Sequence, residues 1–189
     1  GKHSVCILEA GGKDTNMFVH IPAGFMKTLV DPSVNWLYTS EPSEWTGGRR
    51  IAAPRGKTLG GSSAINGMIY IRGVPLDFAA WEQAGAKGWS WEEVLPYYKK
   101  AEKQQVHRDD MHGTDGPLHV QDVRDKRPMD NEFIRAMNQA GIPSNPDFNG
   151  IDQAGCGYYQ FTQSNGRRWS TASADRDHSS KPRRRSTST

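Results

Sequence analysis

Residues 54–73 read PRGKTLGGSSAINGMIYIRG, and this segment is the most distinctive feature of the chain. Two adjacent glycines, Gly60 and Gly61, precede two serines, and an apolar run follows. Because serine is a favoured helix N-cap, the pattern predicts a tight turn capped by Ser62 or Ser63 that leads into an apolar helical segment. Such a turn lets the backbone approach a ligand closely, and the free N–H groups of a helix start attract anions. A purely structural turn explains the glycines equally well.

Residues 4–8, SVCIL, form a short apolar run that ends at Glu9 and two glycines. This pattern predicts a buried parallel strand of an α/β sheet, with Cys6 as a small buried hydrophobic residue. In dinucleotide-binding folds, an acidic residue at a strand end binds the ribose about 20 residues after a glycine fingerprint. That distance from Glu9 reaches beyond the first residue of this sequence, and no G-x-G-x-x-G occurs within it. Glu9 alone is therefore read more simply as an exposed strand end.

Local signals further along the chain predict a mixture of helices and strands. Ser90 and Glu93 form a capping box that starts a helix running to about Lys103, which Pro96 is expected to bend or delay. Glycine stops and apolar periodicity predict further helices over residues 77–85 and 129–140. Strands are expected at residues 35–39, 117–121 and 157–163, a hairpin at Gly47-Gly48, and loops over residues 105–116 and 143–157. The six histidines do not cluster, so we predict structural or solvated roles for them and no metal site.

Composition excludes several classes of protein. The chain has 189 residues, 24 Lys and Arg, 21 Asp and Glu, and a formal charge of +3. Its mean hydropathy is −0.76, and no apolar stretch approaches the roughly 20 residues of a membrane span. With two cysteines, the sequence supports neither a disulfide scaffold nor a cysteine-based zinc module.

The net charge is concentrated at the C-terminus. Residues 175–189 read DRDHSSKPRRRSTST and hold five cations and two anions, which leaves 19 of each in the first 174 residues. The segment lacks aromatic and large aliphatic residues, so it is predicted to be disordered. A basic tail can contact nucleic acid, although a solvated tail without a partner is the simpler interpretation.

The motif of residues 56–73 resembles the first signature of the glucose–methanol–choline oxidoreductases, which are FAD-dependent alcohol oxidases and dehydrogenases. The resemblance runs from Val5 to about Ala174 and is nearest to the bacterial branch of choline-dehydrogenase-like and aliphatic alcohol dehydrogenases. Its matching positions are Gly56-Lys57-x-Leu59-Gly60-Gly61-Ser62-Ser63-x-Ile65-Asn66-x-x-x-Tyr70-x-x-Gly73, Val5-Cys6-Ile7-Leu8-Glu9-Ala10-Gly11, Asn35-Trp36, His112-Gly113-x-x-Gly116-Pro117-Leu118, Asp147-Phe148-Asn149-Gly150 and Gly166-x-Arg168-x-Ser170-x-x-x-Ala174.

The resemblance implies a set of cofactor-binding residues. Glu9 would hold the adenosine ribose, Trp36 would pack on the cofactor, and Gly56 and Ser62 would contact FAD from the signature loop. The flavin itself would be lined by Asn66, Gly67, Met68 and Ile69. Some relatives attach FAD covalently to a histidine at the position of Ile65, which has no nucleophile, so non-covalent FAD is expected. The implied substrate is a small-molecule alcohol, with O₂ or another acceptor taking the electrons.

The same resemblance implies an incomplete enzyme with an α/β fold. Residues 1–125 would be part of a Rossmann-like FAD-binding domain, residues 126–174 the start of a substrate-binding domain, and residues 175–189 a disordered tail from a shifted reading frame or a truncated gene product. The family's glycine fingerprint, second signature and C-terminal active-site histidine region have no counterpart here, so no catalytic residue is expected in this chain. A cytoplasmic or membrane-peripheral location is expected.

Two other functions stay open at the level of sequence. The folded part could be a binding module whose basic tail contacts nucleic acid, which salt-sensitive DNA binding would reveal. The chain could also be a non-catalytic fragment with exposed sheet edges, which cooperative unfolding by two probes would distinguish from a real domain.

Overall fold

A computed structural model of the protein describes Ser4 and residues 6–180, with the backbone alone for residues 178–180. The chain divides into two compact units. The signature unit comprises residues 1–68 and 165–189, and the sheet unit comprises residues 69–164. The predicted boundary after residue 125 falls inside the sheet unit, so the division into an FAD-binding domain and a substrate-binding domain stays a prediction.

The described chain is built from short helices and short strands. The helices are α1 Met17–His20, α2 Phe25–Thr28, α3 Pro75–Gln83, α4 Trp91–Ala101, α5 Pro128–Gln139 and α6 Thr171–Ser180, with 3₁₀ turns at Pro22–Gly24, Glu44–Thr46 and Gly61–Ala64. The strands are β1 Tyr38–Thr39, β2 Ala52–Ala53, β3 Ile69–Tyr70, β4 Glu102–Gln104, β5 Leu118–Asp122, β6 Gln160–Phe161, β7 Gln163–Ser164 and β8 Arg167–Arg168. This mixed content agrees with the predicted α/β class.

The signature unit is held by a small apolar core and a hairpin. Val19, Val34, Ala64 and Ile65 form a buried cluster. Strands β1 and β2 pair antiparallel, which confirms a hairpin around Gly47-Gly48. The 3₁₀ turn Gly61–Ala64 supplies Ala64, and the next residue, Ile65, is also in this cluster, so the signature segment is part of the core of its own unit.

The sheet unit is built on four strands in the order β3-β6-β5-β4. Strands β4 and β5 run parallel, and the other two pairs are antiparallel. The capping box predicted for α4 is present: Ser90 Oγ accepts from the Glu93 N–H at 3.3 Å, and Glu93 Oε2 accepts from the Ser90 N–H at 3.3 Å. Helix α4 begins at Trp91, so Pro96 does not delay its start. It ends at Ala101 rather than near Lys103, because residues 102–104 pair with β5.

The N-terminal run departs from the prediction. Residues 6–9 form no regular element, Ile7 and Leu8 are 88% and 92% exposed, and Cys6 is exposed as well. The expected buried strand and buried Cys6 are therefore wrong for this structure. A parallel strand needs a hydrogen-bonded neighbour. Within the described part of the chain nothing pairs with residues 6–9, and the next bridge along the chain joins Gly12 to Thr58.

The signature segment forms one 3₁₀ turn instead of the predicted helix. Gly60 and Gly61 adopt positive φ values of 89° and 53°, which glycine tolerates without strain. Neither serine caps the turn. Ser62 Oγ instead accepts from the Gly56 N–H at 3.2 Å, and Ser63 Oγ donates to the Gly60 carbonyl at 2.6 Å. The apolar residues that suggested a helix enter the core at Ala64 and Ile65 and then strand β3.

The predicted disordered tail begins in a helix. Residues 175–180 belong to α6, and within it Arg176 donates to both carboxylate oxygens of Asp14, at 3.0 and 2.8 Å. Local composition could not reveal this partner, which lies 162 residues away in sequence. Residues 181–189 lie outside the described residues. Across the residues that are described, every helix falls short of the length and apolar content needed to cross a bilayer.

Candidate functional site

Three segments of the signature unit meet at the signature loop, residues 55–68. The backbone hydrogen bonds that join them are Trp36 N to Arg55 O at 2.9 Å, Lys57 N to Val34 O at 2.8 Å and Leu59 N to Gly12 O at 2.9 Å. The loop is therefore hydrogen-bonded to the segment after Glu9 and to the segment around Trp36.

Gly56 marks the closest approach of backbone within the loop. A Cβ at this position would collide with the carbonyl of Gly61, so no other residue fits without a backbone shift. Its N–H donates to Ser62 Oγ at 3.2 Å. The structure thus brings Gly56 and Ser62, the two loop residues predicted to contact FAD, into direct contact with each other.

Trp36 offers a partly exposed aromatic surface beside the loop. Its side chain stacks on Tyr38 with ring centroids 5.7 Å apart and planes inclined by 7°. The Lys57 ammonium lies 4.8 Å from the centroid of the Trp36 ring. An aromatic face next to a cation suits a ligand that is both planar and anionic.

The segment Asn66–Met68 forms a turn with an open outer face. Asn66 Oδ1 accepts from the Met68 N–H at 3.0 Å, and Met68 is buried with a positive φ of 65°. Asn66 and Gly67 are exposed, and a Cβ on Gly67 would meet nothing within 4 Å. The turn therefore has free space in front of Gly67. Ile69, the last predicted residue of this run, is exposed in β3 of the sheet unit.

Glu9 is exposed, and its carboxylate accepts from the Gly11 N–H at 2.7 Å. Gly11 packs so tightly on the backbone of Lys57 and Thr58 that a side chain there would collide with it. Glu9 is thus hydrogen-bonded to Gly11, which packs directly on the signature loop, and the Glu9 side chain remains exposed to solvent.

Arg168 is the polar residue to which sequence reasoning gave no role. It is 2% exposed and donates to Val19 O at 2.8 Å, Ser63 O at 3.2 Å and Asn66 Oδ1 at 2.7 Å. Among the residues described, no carboxylate pairs with it, and burial lowers the pKa of its guanidinium to about 10. Because Asn66 lies 102 residues away in sequence, no local pattern could have shown this contact.

The sheet unit contains a buried chain of charged groups. Arg72 donates to Glu102 at 2.7 Å, Glu102 lies 3.1 Å from His112 Nδ1, and His112 Nε2 lies 2.9 Å from Asp147. Burial alone would lower the pKa of His112, but its hydrogen bonds to Asp147 and Glu102 outweigh that effect and raise it to about 9. His112 is therefore protonated at neutral pH and holds a structural position.

His107, Asp109 and Asp147 offer ligand atoms that lie within 4.8 Å of one another. Asp147 already accepts from His112 Nε2 at 2.9 Å and from the Asn149 N–H at 2.9 Å. Protonated His112 offsets the negative charge of Asp147, which weakens the attraction of this cluster for a metal cation. We therefore assign no metal to it.

The sequence of the chain is similar to that of a known family of oxidoreductases over most of its length. A family model described as GMC oxidoreductase matches residues 7–176. The chain belongs to the GMC oxidoreductase family. It is 48% identical over 174 residues to an oxygen-dependent choline dehydrogenase from Sinorhizobium medicae, and 46% identical over 171 residues to an alcohol dehydrogenase [acceptor] from Pseudomonas putida. These alignments cover 92% and 90% of this chain but 32% and 31% of the relatives.

A solved GMC-like structure supports the fold assignment. The pyridoxine 4-oxidase from Mesorbium loti superposes with a TM-score of 0.82 at 33% identity, over 88% of this chain and 33% of that one. The chain thus spans about a third of the length of the relatives that it matches. These comparisons establish the family and the fold of this chain.

Proposed function

We propose that this chain is part of the FAD-binding portion of a GMC oxidoreductase that oxidises the CH–OH group of an alcohol to an aldehyde. The observation that carries the proposal is the open-faced turn Asn66–Met68, which follows directly on the packed contact between Gly56 and Ser62. Relatives named as choline and alcohol dehydrogenases support the substrate class.

The residues of the signature unit fit a flavin dinucleotide. A Cβ on Gly67 would meet no atom within 4 Å, so the front of the turn is open, and Gly56 and Ser62 are joined by a hydrogen bond within the loop. Lys57 over the Trp36 ring provides a cation beside an aromatic surface, which matches the charge and planarity of the cofactor.

Each predicted residue then has a defined task. Glu9 would accept hydrogen bonds from the adenosine ribose, and Trp36 would pack against the cofactor. Gly56 and Ser62 would contact FAD from the loop, while Asn66, Gly67, Met68 and Ile69 would line the flavin. Bound FAD supplies a hydride acceptor. The chain's own residues bind and orient it, and we assign no catalytic residue within residues 6–180.

We propose that the flavin is held without a covalent bond. Ile65 occupies the position at which some relatives carry the linking histidine, and it has no nucleophilic atom. Its side chain is 2% exposed within the apolar core, so it is also turned away from any solvent-facing ligand.

The proposal is tested by titrating the purified 189-residue chain with FAD and following flavin fluorescence. We expect weak, saturable quenching, no flavin retained through gel filtration, and no alcohol turnover. Gly67→Leu is expected to weaken the binding because the side chain fills the space in front of the turn. Ala80→Leu, on an exposed face of α3 in the sheet unit, is the matched control and should bind as the wild type does.

Two results would contradict the account. Equal quenching by wild type and Gly67→Leu would remove the turn from the flavin site. Recovery of stoichiometric flavin absorbance with the purified chain would show that it binds FAD tightly by itself, against the expectation drawn from the absent G-x-G-x-x-G motif.

A further inference from the structure

Arg168 lies behind the turn proposed to face the flavin. Its guanidinium donates to backbone carbonyls of two short helical segments, those of Val19 in α1 and Ser63 in the 3₁₀ turn, and to the side chain of Asn66. Two separate segments of the signature unit, α1 and the signature loop, therefore converge on one buried cation. Arginine suits this position because its planar fork of donors fixes several acceptors at once.

Asn66 transmits this anchoring to the turn. Its Oδ1 accepts from Arg168 Nη1 at 2.7 Å and from the Met68 N–H at 3.0 Å, so one atom joins the buried cation to the turn backbone. Met68 has a φ of 65°, a conformation that a non-glycine residue keeps only when its surroundings hold it there. Gly67 lies between these residues with open space in front of it.

We propose that Arg168 is a positioning residue, which holds Asn66 and the strained Met68 backbone so that the outer face of the turn is preformed for its ligand. The proposal rests on the assignment of that turn to the flavin. The Arg168 side chain is enclosed: the residue is 2% exposed, and its Nη2 is buried with no hydrogen-bond partner among the described residues.

Burial of an arginine without a carboxylate is costly, and this supports a role beyond general packing. A neutral donor could satisfy the carbonyls of Val19 and Ser63 equally well. At Asn66, by contrast, a charged guanidinium donates to the same oxygen that accepts from the Met68 N–H. Hydrogen bonds to a charged donor are stronger than neutral ones, so the turn is held more firmly than by the Met68 bond alone.

The test measures hydrogen exchange of the Met68 amide in the full chain. Arg168→Met and Asn66→Leu are each expected to accelerate it about tenfold or more, the change that losing a charge-assisted hydrogen bond produces. The double variant should add little to either single change, because both remove the same link. Arg168→Lys should restore part of the protection, and Arg167→Met, at the exposed neighbouring position of β8, should leave it unchanged.

If Arg168→Met does not fold, the exposed position 66 provides the decisive pair. Asn66→Asp keeps the acceptor and adds a carboxylate beside the buried cation, so it should retain Met68 protection that Asn66→Leu loses. The proposal is overturned if these two variants exchange alike, or if Arg168→Met accelerates Met68 no more than Arg167→Met does.

The same variants separate this inference from the proposed function. In the wild type, FAD should shift the Gly67 amide resonance, and Arg168→Met should reduce that shift at equal FAD concentration. If FAD shifts no resonance of the signature loop, the proposed function fails while the exchange result still decides whether Arg168 positions the turn.

Discussion

Single residues in the sheet unit show why its interior tolerates charge. Glu102 is fully buried, yet it accepts from Arg72 at 2.7 Å and from the Gly113 N–H at 2.9 Å, with His112 at 3.1 Å. A buried carboxylate is stable only when its oxygens are bonded in this way. Asp147 carries the second negative charge. Burial would raise its pKa, but the hydrogen bond from His112 lowers it below the usual value.

The His112 pairings predict a loss of stability at high pH. The pKa of His112 rises from 6.5 to about 9 on folding, so its contribution is complete below the unfolded value of 6.5 and disappears as pH rises through 9. We expect the loss to be on the order of 2 kcal/mol once solvent screening is included. Urea unfolding of wild type and His112→Gln at pH 6 to 10 measures it, with His20→Gln in the signature unit as control. A His112→Gln variant with the same pH slope as wild type would contradict the prediction.

Removing the charge of Glu102 should be more damaging. Glu102→Gln leaves Arg72 buried and without its carboxylate, and breaking such a pair costs about 3–5 kcal/mol. Glu92→Gln, at an exposed position of α4, should change the unfolding free energy by less than about 0.5 kcal/mol. Chemical denaturation compares the two. Similar midpoints for both variants would show that the buried network contributes little.

At the scale of elements, the signature loop depends on close backbone packing. Gly56→Ala places a Cβ against the Gly61 carbonyl and should destabilise the signature unit by about 1–3 kcal/mol. Gly12→Ala is the matched control, because a Cβ there meets nothing within 4 Å and the Gly12 backbone is hydrogen-bonded to the same loop. Thermal unfolding distinguishes them, and equal melting temperatures would mean that the loop adjusts without cost.

Local signals predicted the elements whose causes are local. Helix α4 follows from the Ser90 and Glu93 capping box, and α3 ends near Gly85, whose φ is 104°. Residues 6–9 do not form the expected strand, since a strand depends on a neighbour that local sequence does not specify. Likewise, the apolar residues after Ser63 indicated a helix, but their burial is decided by the core around Val19 and Val34.

Some contacts of the candidate site join residues that are close in sequence, and others do not. The hydrogen bond between Gly56 and Ser62 spans six residues, and the bond from the Met68 N–H to Asn66 Oδ1 spans two. Arg168 and the ion pair between Arg176 and Asp14 depend on contacts across 102 and 162 residues. Such pairings are properties of the fold, and periodicity and capping carry no information about them.

At the scale of the whole molecule, the described residues leave much apolar surface in solvent. Met129 and Phe133, on the predicted apolar face of α5, are 77% and 62% exposed, and Trp45 and Ile151 are 97% and 94% exposed. Surfaces of this kind promote association. We expect the isolated chain to bind a hydrophobic dye and to elute at larger apparent size as its concentration rises. A monomer at all concentrations with no dye binding would contradict this.

The central claim is that the signature loop forms the flavin-facing part of the site. An amide chemical-shift titration of the 189-residue chain with FAD tests it most directly, with AMP and riboflavin as separate ligands. The account predicts that FAD and riboflavin shift the amides of Gly56, Ser62 and Gly67, whereas AMP shifts those near Glu9. FAD shifts that are absent from residues 56–68, or that are concentrated on the exposed apolar face of α5, would contradict it.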